Sequence, residues 1–168
     1  LTSARKLSAA GADFLICPDN TIHQALHLVL PHSPLPWLHI AEEVAKEASK
    51  NGYRSVGIIG TKWLIDSDVY PEKLRAHGVS FERPDPADRL EANRIIMDEL
   101  VYGRRYQRSV RAFQRIIGHL KEKGCDAVVL GCTEIPLIIG DHNSPLPTLD
   151  STRLLARAAL SRALSEFD

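Results

Sequence analysis

Two segments of the chain place residues capable of proton-transfer chemistry directly after apolar runs. The first, residues 14–23, reads FLICPDNTIH, and the second, residues 128–136, reads VVLGCTEIP. In each, a threonine stands at a predicted helix start, so backbone N–H groups and the helix dipole suit a carboxylate ligand there. We expect this position to favour the thiolate of Cys132, which could then act as a base or a nucleophile.

The same residues also have structural interpretations. Thr21, with a glutamine three residues later, has the spacing of a capping box, and Asp19 and Asn20 are good N-cap residues. A role as a helix cap is also the alternative interpretation of Thr133, and a cysteine such as Cys132 often serves as a small buried apolar residue. Spacing alone therefore leaves capping and chemistry open for both segments.

Cofactor motifs are not found in the sequence. His23 and His27 have the spacing of a helical zinc pair, but no acidic third ligand and no H-E-x-x-H pattern accompany them. Residues 57–61, GIIGT, lack the G-x-G-x-x-G fingerprint of dinucleotide-binding proteins. We predict no metal and no nucleotide cofactor.

The elements that must position these residues are predicted from hydrophobic periodicity. Short apolar runs alternate with longer segments of helical period, the pattern of an α/β protein with parallel sheets. The strands are predicted at residues 13–17, 55–59, 79–81 and 127–130, with a further candidate at 36–40. A Pro-rich turn at 32–36 and a loop at 141–145 predict two lobes, one of residues 1–36 plus 141–168 and one of residues 37–140.

Composition limits the classes of partner. The 168 residues hold 21 Lys and Arg against 21 Asp and Glu, a balance that disfavours nucleic-acid binding. No apolar run is long enough to cross a bilayer and no signal peptide opens the sequence, so we expect a cytoplasmic protein without membrane contact. The three cysteines contain no C-x-x-C pair, which argues against a disulfide framework or a thiolate zinc site.

Taken together, several motifs resemble the aspartate/glutamate racemase family of pyridoxal-independent amino-acid racemases. They are GCTEIP at 131–136, NTIH at 20–23, Gly60-Thr61 with Tyr70 ten residues beyond Gly60, IIMDEL at 95–100 and LDSTR at 149–153. The resemblance implies two similar α/β lobes with parallel sheets flanked by helices, an active site in the cleft between them, and a homodimer. It also implies a small substrate, an acidic amino acid or a dicarboxylate, and no cofactor.

Residue roles follow from the same resemblance. Two thiols of the family flank the substrate Cα, one removing its proton while the other supplies a proton to the opposite face. Cys132 matches the second thiol. The positions that hold the substrate carboxylate match Asn20, Thr21 and Thr133, and Thr61 falls on the Gly-Thr loop beside the cleft. Glu134 belongs to the matched motif but receives no proton-transfer role.

The sequence departs from the family pattern at several positions. Asp19 occupies the position of the first thiol, Leu64 that of a second threonine after the Gly-Thr loop, and Leu155 that of a histidine in the last motif. The first strand of lobe 1 and its Gly-rich loop have no counterpart. We therefore expect racemisation of aspartate or glutamate with unequal competence in the two directions, because a carboxylate is a weaker base than a thiolate.

Two other functions stay open at this stage. Similar folds with a single cysteine decarboxylate or isomerise small dicarboxylic acids, and Cys132 alone could protonate one face of such an intermediate. The substitutions at the matched site positions are also compatible with an inactive ligand-binding or scaffold protein.

Overall fold

A computed structural model of the chain describes residues 1–165 and shows one four-stranded parallel sheet flanked by helices. The strand order is β2-β1-β3-β4, and every neighbouring pair is parallel. The strands are β1 (Ser55–Ile59), β2 (Ser80–Glu82), β3 (Ala127–Leu130) and β4 (Thr148–Asp150). The α/β class with parallel strands and flanking helices, predicted from the alternating pattern, is confirmed.

The helices fill the connections between the strands and continue beyond the sheet. They are α1 (Thr2–Ala9), α2 (Leu26–Val29), α3 (Ile40–Lys50), α4 (Lys62–Ile65), α5 (Val69–Ala76), α6 (Pro86–Asp98), α7 (Gln107–Glu122) and α8 (Ser151–Ser165). Four 3-10 turns cover Thr21–Ala25, Leu30–His32, Leu100–Tyr102 and Ile135–Leu137. Within residues 1–165, none of the helices has the length and apolar character needed to span a bilayer.

Both faces of the central strands are buried, which explains their nearly continuous apolar sequence. Ile58 and Val129, paired in register, face the layer formed by α3 and α5. Ile59 and Leu130, the next pair, face the layer formed by α6 and α7. This arrangement of a parallel sheet between two helical layers keeps the ends of β1 and β3 in fixed relation.

The strands predicted at 13–17 and 36–40 are reduced to a single bridge, so that prediction is wrong in extent. Leu15 pairs in parallel with Trp37, through hydrogen bonds from the Leu15 N–H to the Pro36 carbonyl and from the Leu38 N–H to the Leu15 carbonyl. Pro36 has no N–H and Pro18 ends the first segment in the same way, so both prolines limit a longer ladder.

The sequence analysis also missed β4 at the edge of the sheet. Thr148–Asp150 pairs with Val128–Leu130, and α8, which follows directly, packs against α3. Further along α8, the Arg162 guanidinium lies over the Phe14 ring at 4.9 Å from its centroid. The helix therefore contacts both the sheet layer and the segment around residue 14, and the division into two lobes stays a prediction.

Candidate active site

All six residues predicted for the site line one small cavity of about 140 Å³. It lies beyond the carboxyl ends of β1 and β3, where ligands of open parallel sheets generally bind. The predicted residues that it brings together are Asp19, Asn20, Thr21, Thr61, Cys132 and Thr133. A larger concavity of about 880 Å³ runs along β4 and the start of α8, but none of these six residues lines it. We therefore take the smaller cavity as the candidate site.

Gly131 allows the chain to turn from β3 into the cavity. Its N–H donates to the Ile59 carbonyl at 2.8 Å. A Cβ on Gly131 would lie 2.5 Å from the Leu64 Cδ2 and 2.9 Å from the Ile59 carbonyl oxygen. Leu64, at the position where the resemblance implies a second threonine, is thus a buried packing residue, and the backbone at residue 131 has room only for glycine.

The Cys132 thiol is held in its protonated form, which contradicts the thiolate predicted from the sequence. Its Sγ donates to the Glu134 Oε2 at 2.9 Å. Burial, this hydrogen bond to a carboxylate and the charge of Asp19 together raise the pKa of Cys132 to about 12. The expected helix dipole is weak because only the 3-10 turn Ile135–Leu137 follows, and Glu134 occupies its N-cap position.

Glu134, which the sequence analysis names only as part of a matched motif, acts electrostatically on the Cys132 thiol. Burial disfavours its charge, but hydrogen bonds from the Cys132 thiol and the Thr133 hydroxyl, at 2.9 and 2.8 Å, outweigh burial and lower the pKa of Glu134. The carboxylate therefore stays charged beside the thiol. The sequence did contain one signal of this contact. Glu134 follows Cys132 by two positions, and a turn at that spacing brings the two side chains together.

Glu134→Gln is expected to make Cys132 more reactive. The glutamine amide has no charge to oppose the thiolate, so the pKa of Cys132 falls. Each unit of that fall increases the alkylation rate at pH 8 by roughly threefold to fourfold, since the larger thiolate fraction outweighs the lower nucleophilicity of the thiolate. Mass spectrometry of iodoacetamide-treated protein measures this rate, with Cys17 as an internal control. An unchanged rate at Cys132 would show that Glu134 does not set its ionisation.

Asp19 lies in the cavity and also caps the 3-10 turn that follows it. Its Oδ1 accepts the Ile22 N–H at 2.8 Å. The exposed carboxylate acts electrostatically on Cys132, contributing to the raised pKa of that thiol. The capping role predicted as an alternative is thus observed for Asp19, together with a position beside the thiol.

His23 fixes the backbone of Asp19 to the start of α3. Its Nδ1–H donates to the Asp19 carbonyl at 2.7 Å, and its Nε2 accepts the Ile40 N–H at 3.3 Å. Both bonds require the neutral ring with the proton on Nδ1, and burial lowers the pKa of His23 accordingly. The ring packs against His39 at a centroid distance of 4.5 Å.

The side chain of Asn20 is part of a buried hydrogen-bond chain. The Tyr70 hydroxyl donates to its Oδ1 at 2.5 Å, and its Nδ2 donates to the Ser151 Oγ at 3.0 Å. Ser151 then donates to the Leu130 carbonyl at 2.8 Å. This chain ties the loop of Asp19 to the end of β3 and the start of α8, so Asn20 positions the site as well as lining it.

The three threonines contribute differently. Thr61 caps α4, with its Oγ1 accepting the Leu64 N–H at 3.4 Å. Thr133 is exposed and donates to Glu134, while Thr21 begins the first 3-10 turn. The roles predicted for them toward a substrate carboxylate stay predictions. Within residues 1–165, no group of three or more His, Cys, Asp or Glu side chains converges to hold a metal ion.

The half-buried His39, which packs against the buried His23, is expected to make the stability of the fold depend on pH. Burial, followed by the charges of His23 and Lys73, lowers the pKa of His39 from 6.5 to about 4. His39 therefore binds a proton near pH 6.5 in the unfolded chain but only near pH 4 in the folded chain. The stability that neutral His39 contributes is fully present above pH 6.5 and is lost as the pH falls from 6.5 to about 4.

Between pH 7 and pH 5 this loss amounts to about 1 kcal/mol, allowing for the partial solvent contact of the ring. His39→Asn keeps a helix-capping acceptor but removes the titration, so its unfolding free energy, measured by urea denaturation, loses less over that interval. The exposed His27→Asn serves as the control and should behave like the unaltered chain. Equal losses in all three proteins would rule out His39 as the source.

Comparisons with known proteins identify the family of the chain. The family model for Asp/Glu/hydantoin racemase matches residues 1–159. The broad specificity amino-acid racemase RacX of Bacillus subtilis (strain 168) is 26% identical over 165 residues, which are 98% of this chain and 71% of that protein. The chain spans about half the length of three glutamate racemases that it also matches.

Solved structures give the same result. A candidate Asp/Glu racemase from Yersinia pestis superposes with a TM-score of 0.90 at 33% identity, covering 97% of this chain and 71% of that one. An aspartate racemase homologue from Pyrococcus horikoshii OT3 superposes with a TM-score of 0.87 at 30% identity, covering 96% and 71%. With its family model matching nearly the whole length, the chain belongs to the Asp/Glu/hydantoin racemase family of isomerases.

Proposed function

We propose that the chain racemises an amino acid by transferring protons at Cα between Cys132 and Asp19. The observation that carries the proposal is the shared cavity, in which a protonated thiol and a carboxylate come from two different loops. Inversion at carbon needs a base on one side and an acid on the other, each in reach of the same atom. Family membership supports the same reaction class.

The raised pKa of Cys132 decides which group starts as the acid. The thiol holds its proton in the resting site, so Asp19 takes the Cα proton and the Cys132 S–H bond breaks as a new C–H bond forms on the other face. The resulting thiolate lies beside the charged Glu134 and is a strong base. It removes the Cα proton of the product enantiomer in the reverse reaction, while Asp19 returns its proton.

The substrate carboxylate has donors at the same end of the sheet. The backbone N–H groups of Cys132 and Thr133 donate to no acceptor within residues 1–165. Hydroxyls of Thr21 and Thr61 also line the cavity. These groups together can bind a carboxylate and stabilise the charge that develops on it as the Cα proton leaves.

Unequal acid and base groups produce a specific kinetic asymmetry. Because two enantiomers have an equilibrium constant of one, kcat/KM must be the same in both directions. The asymmetry predicted from Asp19 therefore appears in kcat and KM separately, which change by the same factor between the L and D substrates. One enantiomer binds to the form of the free protein in which Cys132 is a thiolate. Because this form is disfavoured, that enantiomer has the higher KM and the higher kcat.

Solvent deuterium exchange at Cα tests the proposal. The assay uses both enantiomers of aspartate and glutamate, named by the family, and of other amino acids, a range named for the Bacillus subtilis relative. Exchange together with loss of optical rotation is the expected result. Release of carbon dioxide from a substituted malonate, without exchange of any amino acid, would instead establish the decarboxylase alternative. Ligand-induced stabilisation without either reaction would establish a binding protein.

A further inference from the structure

One wall of the candidate site is apolar and comes from elements not used for the proton transfer. Ile96 and Met97, at the end of α6, and Val101, in the 3-10 turn that follows, line the cavity. Ile96 is buried, whereas Met97 and Val101 are 37% and 51% exposed. The wall therefore offers methyl, methylene and thioether groups to a substrate side chain, and Met97 and Val101 form its rim.

The charged residues that line the cavity are all acidic. Asp19 and Glu134 carry carboxylates, and no Lys, Arg or His from residues 1–165 lines the cavity. Basic side chains on the neighbouring helices have other partners. Arg94 and Arg108 both donate to the buried Glu99, at 2.9 and 3.2 Å.

Lys62, beside Thr61, has its Nζ over the Trp63 ring, 4.8 Å from the centroid. Its side chain thus lies on the exposed aromatic face and does not line the cavity. A substrate side chain in the cavity consequently meets no positive charge from these residues.

From this lining, and on the basis of the function proposed above, we propose that the substrate is an amino acid with an uncharged side chain. Such a substrate is neutral overall, and its ammonium group is attracted by Asp19 and Glu134. Aspartate or glutamate would bring a second carboxylate to an apolar wall between two carboxylates, where like charges repel and no cation from residues 1–165 compensates.

The first experiment compares substrates with the unaltered chain. The kcat/KM for Cα deuterium exchange is measured for alanine, serine, methionine, aspartate, glutamate and lysine. We expect the best uncharged amino acid to exceed aspartate and glutamate by at least about tenfold, equivalent to about 1.4 kcal/mol. Equal or faster exchange of aspartate, glutamate or lysine overturns the inference while the proposed function stands. Exchange of none of the six overturns both.

The second experiment places a cation on the wall. Met97→Arg is expected to shift the ratio of kcat/KM for aspartate over alanine upward by about tenfold, and Val101→Arg gives an independent variant at a more exposed position. Leu90→Arg is the matched control, because it adds the same charge to the same helix at a residue that is 70% exposed and outside the cavity lining. If the aspartate-to-alanine ratio of kcat/KM is the same in Met97→Arg, Val101→Arg and Leu90→Arg, the assignment of this wall to the substrate side chain is wrong.

Discussion

Cys132→Ala is expected to lower the racemisation rate by about 10³-fold. The thiol is the proton donor in one direction and, as the thiolate, the base in the other, and positioned acid–base groups contribute about 10² to 10⁴ in rate. Alanine removes only the sulfur from a half-buried position, so the fold should persist. Polarimetry and solvent deuterium exchange give the rate, and circular dichroism checks the fold.

Cys17→Ala is the matched control for this experiment. Cys17 is also half-buried and free, but it does not line the cavity. Its replacement should leave the rate within about twofold of the unaltered chain, since no proton transfer is assigned to it. A Cys132→Ala variant that turns over at the rate of Cys17→Ala would remove the sulfur from the mechanism, for racemisation and for the single-cysteine decarboxylation alike.

The location of the candidate site could be predicted from the sequence, whereas the protonation state of its thiol could not. Gly131, Cys132 and Thr133 follow an apolar run that forms β3, and the ends of parallel strands meet at one edge of the sheet. The thiolate prediction failed because it depended on a helix dipole. The following turn is only three residues long, and a hydrogen bond to Glu134 favours the protonated thiol. Such a contact depends on side-chain orientation, which spacing does not reveal.

Peripheral strands were predicted less well than the central pair for a physical reason. Ser55–Ile59 and Ala127–Leu130 are buried on both faces and read as continuous apolar runs. β4 buries only Leu149, with a half-buried residue on each side, and follows Pro147 directly. A three-residue edge strand next to proline has no hydrophobic period to detect. Its existence depends on pairing with β3, a contact distant in sequence.

Asn20 shows that a residue predicted for the site can also have a structural role. The family resemblance implies a contact with the substrate carboxylate, which stays a prediction, and the structure places Asn20 in the cavity lining. Its side chain is nevertheless engaged by Tyr70 and Ser151, residues 50 and 131 positions away along the chain. The Tyr70 position in the matched motif is thereby explained as support for the loop that carries Asp19, which no local spacing could indicate.

Asp19→Asn and Asp19→Cys form a pair that tests whether the carboxylate replaces a thiol. Asparagine keeps the side-chain oxygen that caps the Ile22 N–H, so the loop should hold its conformation, but it cannot accept the Cα proton. We expect Asp19→Asn to lower the racemisation rate by about 10²-fold or more. If the carboxylate only caps the turn, Asp19→Asn will keep nearly full activity.

Asp19→Cys restores the two-thiol arrangement that the family resemblance implies. A thiolate is a stronger base toward carbon than a carboxylate, and two similar groups equalise the two protonation forms of the free protein. The variant should therefore racemise at least as fast as the unaltered chain, with kcat values for the L and D substrates that converge. Since the cysteine loses the cap on Ile22, its thermal stability is measured in parallel. An Asp19→Cys protein that folds but is as slow as Asp19→Asn would show that residue 19 does not reach the substrate Cα, and the proton relay with Cys132 would then be wrong.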